Sequence, residues 1–327
     1  MAFTICKSIV ANPLTFFILL ISTLLVTDST AQQSEVRMSD DELHKFLDSA
    51  DEQATVYTNV FKNLYADQTK TTEVFDRSGK LEKRRIVLSD LIIYEAQSGT
   101  SKGDLREYHN VREVDGKRVK NRDRRAINLF SRLKSADSIE EELEKIKKES
   151  LRYDREISVY GLVLAQSIAL SRQVRQSFKF AELRTEKVGE EVAVVIGFQQ
   201  TSEHSSIDMK IKSPDQLETS NPYFRGELWI DLKTKSIRRF WQEVTLESPR
   251  FNEPFVVIRQ EAEYRPSEFG IPLPTRITYD AYNLNLTKKD FIAMRTEKIK
   301  PVVYLNRRLL IEYKMFRKFD VSVAADR

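Results

Sequence analysis

Residues 173–323 consist of short segments in which apolar and polar side chains alternate along the chain. Residues 255–265 show this pattern most clearly, because their apolar side chains fall on one face of a strand and their charged side chains on the other. No motif recurs at a period of about 20–50 residues, which argues against a solenoid or a propeller. The region therefore predicts a meandering antiparallel sheet with one charged and one apolar face. Its last three predicted strands span residues 276–282, 291–298 and 309–321.

Two helical regions accompany these strands. Ser39 and Glu42 stand in capping-box positions, and an apolar stripe at three- and four-residue steps follows over residues 43–64. Residues 122–172 also have helical periodicity, and Asp115-Gly116 before them is a strong hairpin-turn signal. We predict an α+β fold: a large curved antiparallel sheet, half-open and barrel-like, covered by the N-terminal helix and by a helical insertion at about residues 122–172.

The first 31 residues have the three regions of a secretory leader. Lys7 supplies a positive charge, residues 14–26 form an uncharged apolar run, and Ala31 ends a stretch of small residues that suits cleavage before Gln32. The apolar run is short for a membrane span, which needs about 20 residues, and an uncleaved anchor is the alternative. We predict a signal peptide at residues 1–31, a single domain at residues 32–327, and a periplasmic or secreted location.

Several kinds of chemistry lack the residues that they need. The sole cysteine, Cys6, lies in the leader, which excludes disulfides, thiol nucleophiles and metal–thiolate sites in the mature domain. The motifs of zinc proteases, serine hydrolases and nucleotide-binding loops are absent. The 53 basic and 49 acidic residues nearly balance, which gives no case for nucleic-acid binding. We predict no enzymatic activity, no catalytic residue, no metal, no cofactor, no nucleic-acid partner and no transmembrane span after leader removal.

One histidine has neighbours that invite a chemical interpretation. His109 with Glu107 and Glu113 offers the residue types of a metal or acid–base site. Such clusters are common on ordinary strands, however, and no second histidine stands at metal-ligand spacing. We therefore predict that His109 is a surface residue of a strand.

Two charged clusters remain. Glu261 and Glu263 share a strand face, as catalytic carboxylates of glycosidases can, but their alternation with Arg259 favours a solvated ladder of ion pairs. Residues 117–125 carry the densest positive charge, which suits contact with lipid headgroups or an acidic partner. A solvated turn leading into the next helix is the interpretation that we favour for this basic cluster.

Aromatic residues are crowded into the C-terminal strands. Core packing beneath the helices is the simpler explanation, since sheets favour aromatic side chains. The alternative is an apolar concave face that holds a hydrophobic ligand. The side chains that we expect to line such a cavity are Ile258, Tyr264, Ile277, Tyr279, Ile311, Tyr313 and Met315.

Residues 223–240, with the sequence YFRGELWIDLKTKSIRRF, form a strand–turn–strand that resembles the repeating hairpin of the periplasmic lipoprotein-carrier superfamily (LolA/LolB-like). The export leader and the N-terminal helix that precedes a strand meander are also similar to that family. Residues 111–125 resemble a segment of exported bacterial proteins of unknown activity. The resemblance implies an open half-barrel around an apolar cavity that takes acyl chains.

The sequence thus predicts an exported, non-enzymatic protein that binds a hydrophobic ligand, a lipid or an acyl chain, or else an envelope protein, in an apolar groove of its sheet. A cell-envelope hydrolase that uses surface carboxylates is one alternative. A structural interaction module, whose helices cover the whole apolar face, is the other.

Overall fold

The computed structural model describes residues 38–62, 64–95, 105–133, 139–164, 166–201 and 222–318. The expected leader, residues 1–31, lies outside this part of the chain, as do His204 and residues 319–321 of the last predicted strand. The described residues form one open antiparallel sheet of eleven strands with four α-helices, which confirms an α+β fold. None of the helices described here is long and apolar enough to cross a bilayer.

The strands form two meanders that meet in the middle of the sheet. The strand order is β4-β3-β2-β1-β11-β10-β9-β8-β7-β6-β5, so β1 pairs with β11 and the edges are β4 and β5. Every pairing is antiparallel. The strands are β1 (Leu64–Phe75), β2 (Leu81–Glu95), β3 (Leu105–Val114), β4 (Lys117–Arg118), β5 (Phe178–Val188), β6 (Glu191–Gln200), β7 (Tyr223–Asp231), β8 (Ile237–Leu246), β9 (Phe255–Arg265), β10 (Leu273–Leu284) and β11 (Val303–Lys318).

The first helix begins where the sequence predicts. The N–H of Glu42 donates to Ser39 Oγ at 3.4 Å, and the Glu42 carboxylate accepts from the Ser39 N–H at 2.8 Å, which completes a capping box. The helix ends at Phe61, and Leu64 already belongs to β1. The four helices are α1 (Asp40–Phe61), α2 (Arg122–Leu133), α3 (Ile139–Ser150) and α4 (Lys288–Ala293).

The two faces of the sheet differ in chemistry. We call the face that carries Leu91, Ile277 and Ile311 the inner face, because these side chains share a buried core with α1. Tyr57 and Phe61 of α1 are 1% exposed and pack into this core. Burial of each such large side chain contributes about 1.5–3 kcal/mol, so α1 is held mainly by apolar contact.

On β8 to β11 the opposite, outer face carries ion pairs across strands. Arg259 on β9 pairs with Glu261 at 3.0 Å and with Glu243 on β8 at 3.5 Å. Arg308 on β11 donates two hydrogen bonds of 2.8 Å to the carboxylate of Asp280 on β10. The ladder predicted for Glu261 is therefore present, and opposite charges on neighbouring strands stabilise the register.

The insertion between β4 and β5 contains less helix than the predicted helical span of about residues 122–172. Helices α2 and α3 are present, but residues 151–164 form turns, and Glu156 and Gly161 have φ of 62° and 82°. A left-handed conformation interrupts helical hydrogen bonding, which explains the break. Residues 151–164, which we call the strap, bury Ile157 and Val163 in the core beneath α1.

Residues 291–298 do not form the strand that their apolar pattern predicts. Thr287 Oγ1 accepts from the Asp290 N–H at 3.3 Å, and the Asp290 carboxylate accepts from the Thr287 N–H at 2.6 Å. This capping box begins the short helix α4, which ends at Ala293. Local capping therefore overrides the strand propensity of the apolar residues.

Gly226 on β7 provides a sharp test of the packing on the inner face. A Cβ at this position would contact the Trp241 carbonyl oxygen and lie 2.8 Å from Phe198 Cζ. We expect Gly226→Ala to lower the free energy of unfolding by about 2 kcal/mol or more, because the backbone and a buried ring leave no space. Urea unfolding measures the loss.

Gly197→Ala is the matched control for that substitution, since it lies on the neighbouring strand β6. The three heavy atoms nearest to its Cβ would all belong to the Leu183 side chain, at 3.1–3.3 Å, and Leu183 is partly exposed and can move. A loss at Gly197 equal to or larger than that at Gly226 would contradict the packing described here.

Candidate functional site

Six of the seven residues predicted to line a cavity lie on the inner face of β9, β10 and β11. Ile277 stands opposite Ala262 on β9 and Ile311 on β11. Ile277 is fully buried and Ile311 is 3% exposed, so both belong to the packed core. Tyr264 and Tyr313 are also buried in this core, and Ile258 and Tyr279 are partly buried against it.

Helix α1 contacts these residues directly. The Tyr57 ring stacks on Phe61 with centroids 5.0 Å apart and meets the edge of Tyr264 at 6.1 Å. Tyr57 Oη donates to the Val163 carbonyl oxygen of the strap at 2.8 Å. The protein's own helix and strap thus cover the part of the sheet where the sequence predicts a ligand.

The expectation that Met315 lines the same face is wrong. Tyr65 pairs with Arg317 and Asp67 with Lys314, so β11 contains one residue more than β1 between these pairs. This bulge places Met315 at φ 53° with 63% of its surface exposed. One extra residue reverses the alternation of side chains. Phe316 therefore takes the inner position, with its ring 6.0 Å from Phe61 and 6.3 Å from Tyr313.

His109 is buried, which corrects the prediction of a surface residue. Its exposed fraction is 3%, and that of Glu107, two residues earlier on the inner face of β3, is also 3%. Lys70 on β1 and Asp154 in the strap complete a set of four ionisable side chains, which we call the buried polar cluster. Glu113 lies further along β3, opposite Leu88, and pairs with no member of the cluster in the part of the chain described.

Glu107 binds the strap to the sheet. Its Oε1 accepts from the Val163 N–H at 3.0 Å and its Oε2 from the Gly161 N–H at 3.2 Å. Tyr160 Oη accepts from the Glu107 N–H at 3.0 Å and donates to the Glu107 carbonyl oxygen at 2.6 Å. His109 Nε2 lies 3.4 Å from Glu107 Oε2. The strap therefore satisfies backbone groups at the β3 edge as well as the carboxylate.

A buried ion pair binds the strap at a second point. Lys70 Nζ lies 3.0 Å from Asp154 Oδ2, with side-chain exposures of 4% and 8%. Ser150 Oγ, at the end of α3, accepts from the His109 N–H at 3.0 Å. The strap is thus fixed to β1 and to β3 by polar contacts within an otherwise apolar core.

Burial and charge set the protonation of the cluster. Burial alone would raise the pKa of Glu107, but hydrogen bonding and charge from His109, the Val163 N–H and the Lys70 ammonium lower it below its usual value. Burial lowers the pKa of His109, and the charge of Lys70 lowers it further against the opposing attraction of Glu107. His109 is therefore neutral and Glu107 ionised near neutral pH.

The cluster's chemistry is structural. Both carboxylate oxygens of Glu107 accept N–H groups of the strap, and Lys70 and Asp154 neutralise each other. Within the described ranges, no three histidine, cysteine or acidic side chains are placed to hold a metal ion. The arrangement holds the strap, and both ring nitrogens of His109 lack a hydrogen-bond partner in the described chain.

A polar groove of about 560 Å³ opens at one end of the sheet, between the β5–β6 turn and the ends of β8 and β9. Tyr264 is the one predicted lining residue that borders it, beside Glu263, Arg239 and Arg265. The buried Tyr264 Oη has no hydrogen-bond partner in the described chain. Glu261, the other carboxylate considered for hydrolysis, is not among its lining residues.

Comparisons with known proteins add one distant likeness. No protein-family model matches the chain, and no curated protein matches it. Among solved structures, the chain is similar to the crystal structure of a DUF1329 family protein from Desulfovibrio piger, with a TM-score of 0.31 and 9% sequence identity. The match covers 85% of this chain and 98% of that one. A likeness of this strength supports no conclusion about family or activity.

The ion pair between Lys70 and Asp154 can be tested with a double-mutant cycle. We expect Lys70→Met and Asp154→Leu each to lower the free energy of unfolding by about 3–5 kcal/mol, because each leaves a buried charge without its partner. The double variant should lose clearly less than the sum, since two apolar side chains leave no buried charge. Urea unfolding provides all four free energies.

The exposed pair of Lys83 with the strap residue Glu156 is the control for this cycle. These side chains are 67% and 33% exposed, so Lys83→Met should cost less than about 1 kcal/mol. Additive losses at Lys70 and Asp154, or an equal loss at Lys83, would show that the buried pair does not hold the strap.

His109 gives the stability a pH dependence. Because its pKa is lowered in the folded chain, unfolding lets the ring take up a proton as the pH falls. The contribution of neutral His109 to the free energy of unfolding is complete above the pKa of His109 in the unfolded chain, about 6.5. It is lost as the pH falls from there through the lower pKa of the folded chain, by at most about 1.4 kcal/mol per pH unit. We expect Tm to fall less in His109→Leu than in the unsubstituted chain between about pH 7 and pH 5.5.

Both chains in that comparison keep His44 and His204, so the difference between their slopes reports His109 alone. Thermal unfolding followed by circular dichroism at several pH values measures the slopes. Parallel slopes would mean that His109 does not resist protonation in the folded chain.

Proposed function

We propose that the protein is exported and binds a lipid or an acyl chain on the inner face of its sheet, beneath α1 and the strap, without catalysing a reaction. The observation that carries the proposal is the nature of the cover. The apolar inner face is covered by one helix and one irregular segment of the same chain. Such a cover can be lifted without unpairing the strands.

The topology supports a removable cover. Strands β4 and β5 are opposite edges of the sheet, and the chain between them must pass from one edge to the other. The ring of Phe130 on α2 packs at 5.2–5.3 Å against Tyr94 and Tyr108 on the outer face, and the strap then crosses the inner face. The strap is held mainly by side-chain contacts to β1, β2, β3 and β11, whereas the sheet is held by continuous ladders of backbone hydrogen bonds.

The chemistry around Tyr264 supports an entry point for a ligand. This residue contacts Tyr57 of α1 on the inner face and also borders the polar groove. Burial without a hydrogen-bond partner is costly for its hydroxyl, and a ligand's polar group could satisfy it. Three arginine and three glutamate side chains line the groove and offer hydrogen bonds to a polar headgroup, while the acyl chain would lie along Tyr279 and Ile258.

A second candidate is an interaction module that keeps its cover closed and binds an envelope protein. It is favoured by the close contact of Tyr57 and Phe61 with the core, where both side chains are 1% exposed. A hydrolase is less favoured, because Glu261 is paired with Arg259 and is not among the residues that line the groove, which leaves Glu263 without its proposed partner there. Export itself is proposed from residues 1–31, which lie outside the described chain.

Binding of a dansyl-labelled fatty acid tests the proposal. We expect Tyr279→Ser to weaken binding by about tenfold or more, because the partly buried ring would lose about 1.5–3 kcal/mol of apolar contact with the ligand. Burial already raises the pKa of Tyr279 to about 12, as expected for an apolar site. Mass spectrometry of an organic extract would identify any lipid that is purified with the protein.

The matched control is Tyr282→Ser, on the same strand β10. Tyr282 lies on the outer face beside Asp280, Arg259 and Arg308. Tyr282→Ser should leave fatty-acid binding unchanged. Thermal unfolding of Tyr279→Ser and Tyr282→Ser checks that both variants fold. An extract free of lipid together with no fatty-acid binding would reject the proposal in favour of the closed interaction module.

A further inference from the structure

The connection between β10 and β11, residues 285–302, is a firmly held projection that we call the α4 loop. The Asn285 N–H donates to the Val302 carbonyl oxygen at 2.7 Å and closes the base of the loop. The Ile299 N–H donates to the Arg250 carbonyl oxygen at 3.1 Å, and Arg250 Nη1 donates to the Met294 carbonyl oxygen at 3.1 Å. These bonds fix the position of α4, whose surface is therefore a defined feature of the fold.

Large apolar side chains are exposed on this loop. Phe291 and Ile292 are adjacent on α4, with 45% and 64% of their surfaces exposed. Val302 at the base of the loop is 54% exposed. Scattered apolar residues on a surface need no explanation, but three on one short loop form a patch that suits contact with another apolar phase.

The same loop is strongly basic. Residues 285–302 contain five basic and two acidic side chains. Lys288, Lys289, Arg295 and Lys298 are exposed, and none of them has an ion-pair partner in the described part of the chain. Asp290 caps α4 and Glu297 is exposed, and with these two carboxylates against five basic side chains the loop keeps a net charge of +3.

The combination of exposed apolar and basic side chains favours an anionic lipid bilayer over a protein as the partner. Lysine is depleted in protein–protein interfaces, where a desolvated ammonium group is costly. At a membrane surface, lysine ammonium groups reach lipid phosphates while aromatic and aliphatic side chains enter the headgroup region. We propose that the α4 loop docks the protein on an anionic bilayer, with Phe291 and Ile292 inserted and the four unpaired cations on the phosphates.

The basic cluster at residues 117–125 is the competing surface, and it is less suited to this role. Arg122 pairs with Asp90 at 2.6 Å, and Arg125 pairs with Glu149 at 2.8 Å. Ile127 on α2 is 65% exposed. Lys117, Arg118, Lys120 and Arg124 are exposed and have no ion-pair partner within the described residues, so the two surfaces carry equal numbers of unpaired cations. The α4 loop differs in its apolar surface, because it exposes three large apolar side chains whereas α2 exposes Ile127.

Cosedimentation with vesicles of phosphatidylglycerol and phosphatidylcholine tests the proposal. The chain is used in the form that the expressing cell accumulates, so any leader is treated equally in all variants. We expect K288E/K289E/K298E to lower the partition coefficient by about a hundredfold or more at low salt, since each cation near an anionic surface contributes about fivefold. Binding of the unsubstituted chain should weaken as salt is raised and should be weak on pure phosphatidylcholine.

The control K117E/R118E/K120E changes the net charge by the same amount at the competing surface. It should keep most of the binding, which separates the location of the charge from its total. F291S/I292S should lose about tenfold or more at every salt concentration because the inserted apolar area is removed. I127S is its control, since Ile127 matches Ile292 in exposure, and it should bind as the unsubstituted chain does.

Two outcomes would overturn the proposal. One is absence of binding to anionic vesicles by the unsubstituted chain, including the case in which the loop instead recruits a protein. The other is a larger loss in K117E/R118E/K120E or I127S than in the α4 variants. Failure of fatty-acid binding would leave this result unaffected, because the α4 substitutions lie outside the inner face on which that test depends.

Discussion

The pairing of β1 with β11 is the interaction on which the remaining architecture depends. It joins two meanders into one sheet, and Thr69 stands opposite Glu312 across the junction. With this pairing made, β4 and β5 become the two outer edges, and the segment between them has to pass from one edge to the other. The position of the strap on the inner face is thus a consequence of strand order, and the polar contacts then fix its exact path.

The buried polar cluster shows how that path is selected. Apolar contact alone holds a segment without specifying its register, because the hydrophobic effect has no direction. Glu107 can accept both hydrogen bonds only when the N–H groups of Gly161 and Val163 lie beside its carboxylate. Lys70 can pair with Asp154 only in one position of the strap. The desolvation of these charges is costly, and their paired geometry offsets that cost. We interpret the buried polar cluster as contributing more to the specificity of packing than to the stability of the fold.

Sequence patterns predicted the elements that local chemistry determines. The capping box of Ser39 and the turn at Asp115-Gly116 are present, and the alternation in β9 holds from Ile258 to Arg265, after a bulge at Val257. Two of the errors depend on information held by distant residues. The burial of His109 follows from the strap that covers β3, and the exposure of Met315 follows from a bulge against β1. The fold class and most of the inner face were therefore predictable, whereas the positions of His109 and Met315 were not. For α4 the capping signal of Thr287 and Asp290 was present in the sequence, but the apolar residues after it favoured a strand.

The pairing of β1 with β11 also determines the order in which the strands can pair during synthesis. During synthesis β1 leaves the ribosome early, but its neighbour β11 is completed only near the end of the chain. Pairings between such distant segments form slowly, since a long loop must close first. Until then one side of β1 offers unpaired N–H and C=O groups, which can template a strand from another molecule. A nascent chain of this fold therefore gains from a chaperone that protects β1 until β11 arrives, and truncation before β11 would leave a product prone to self-association.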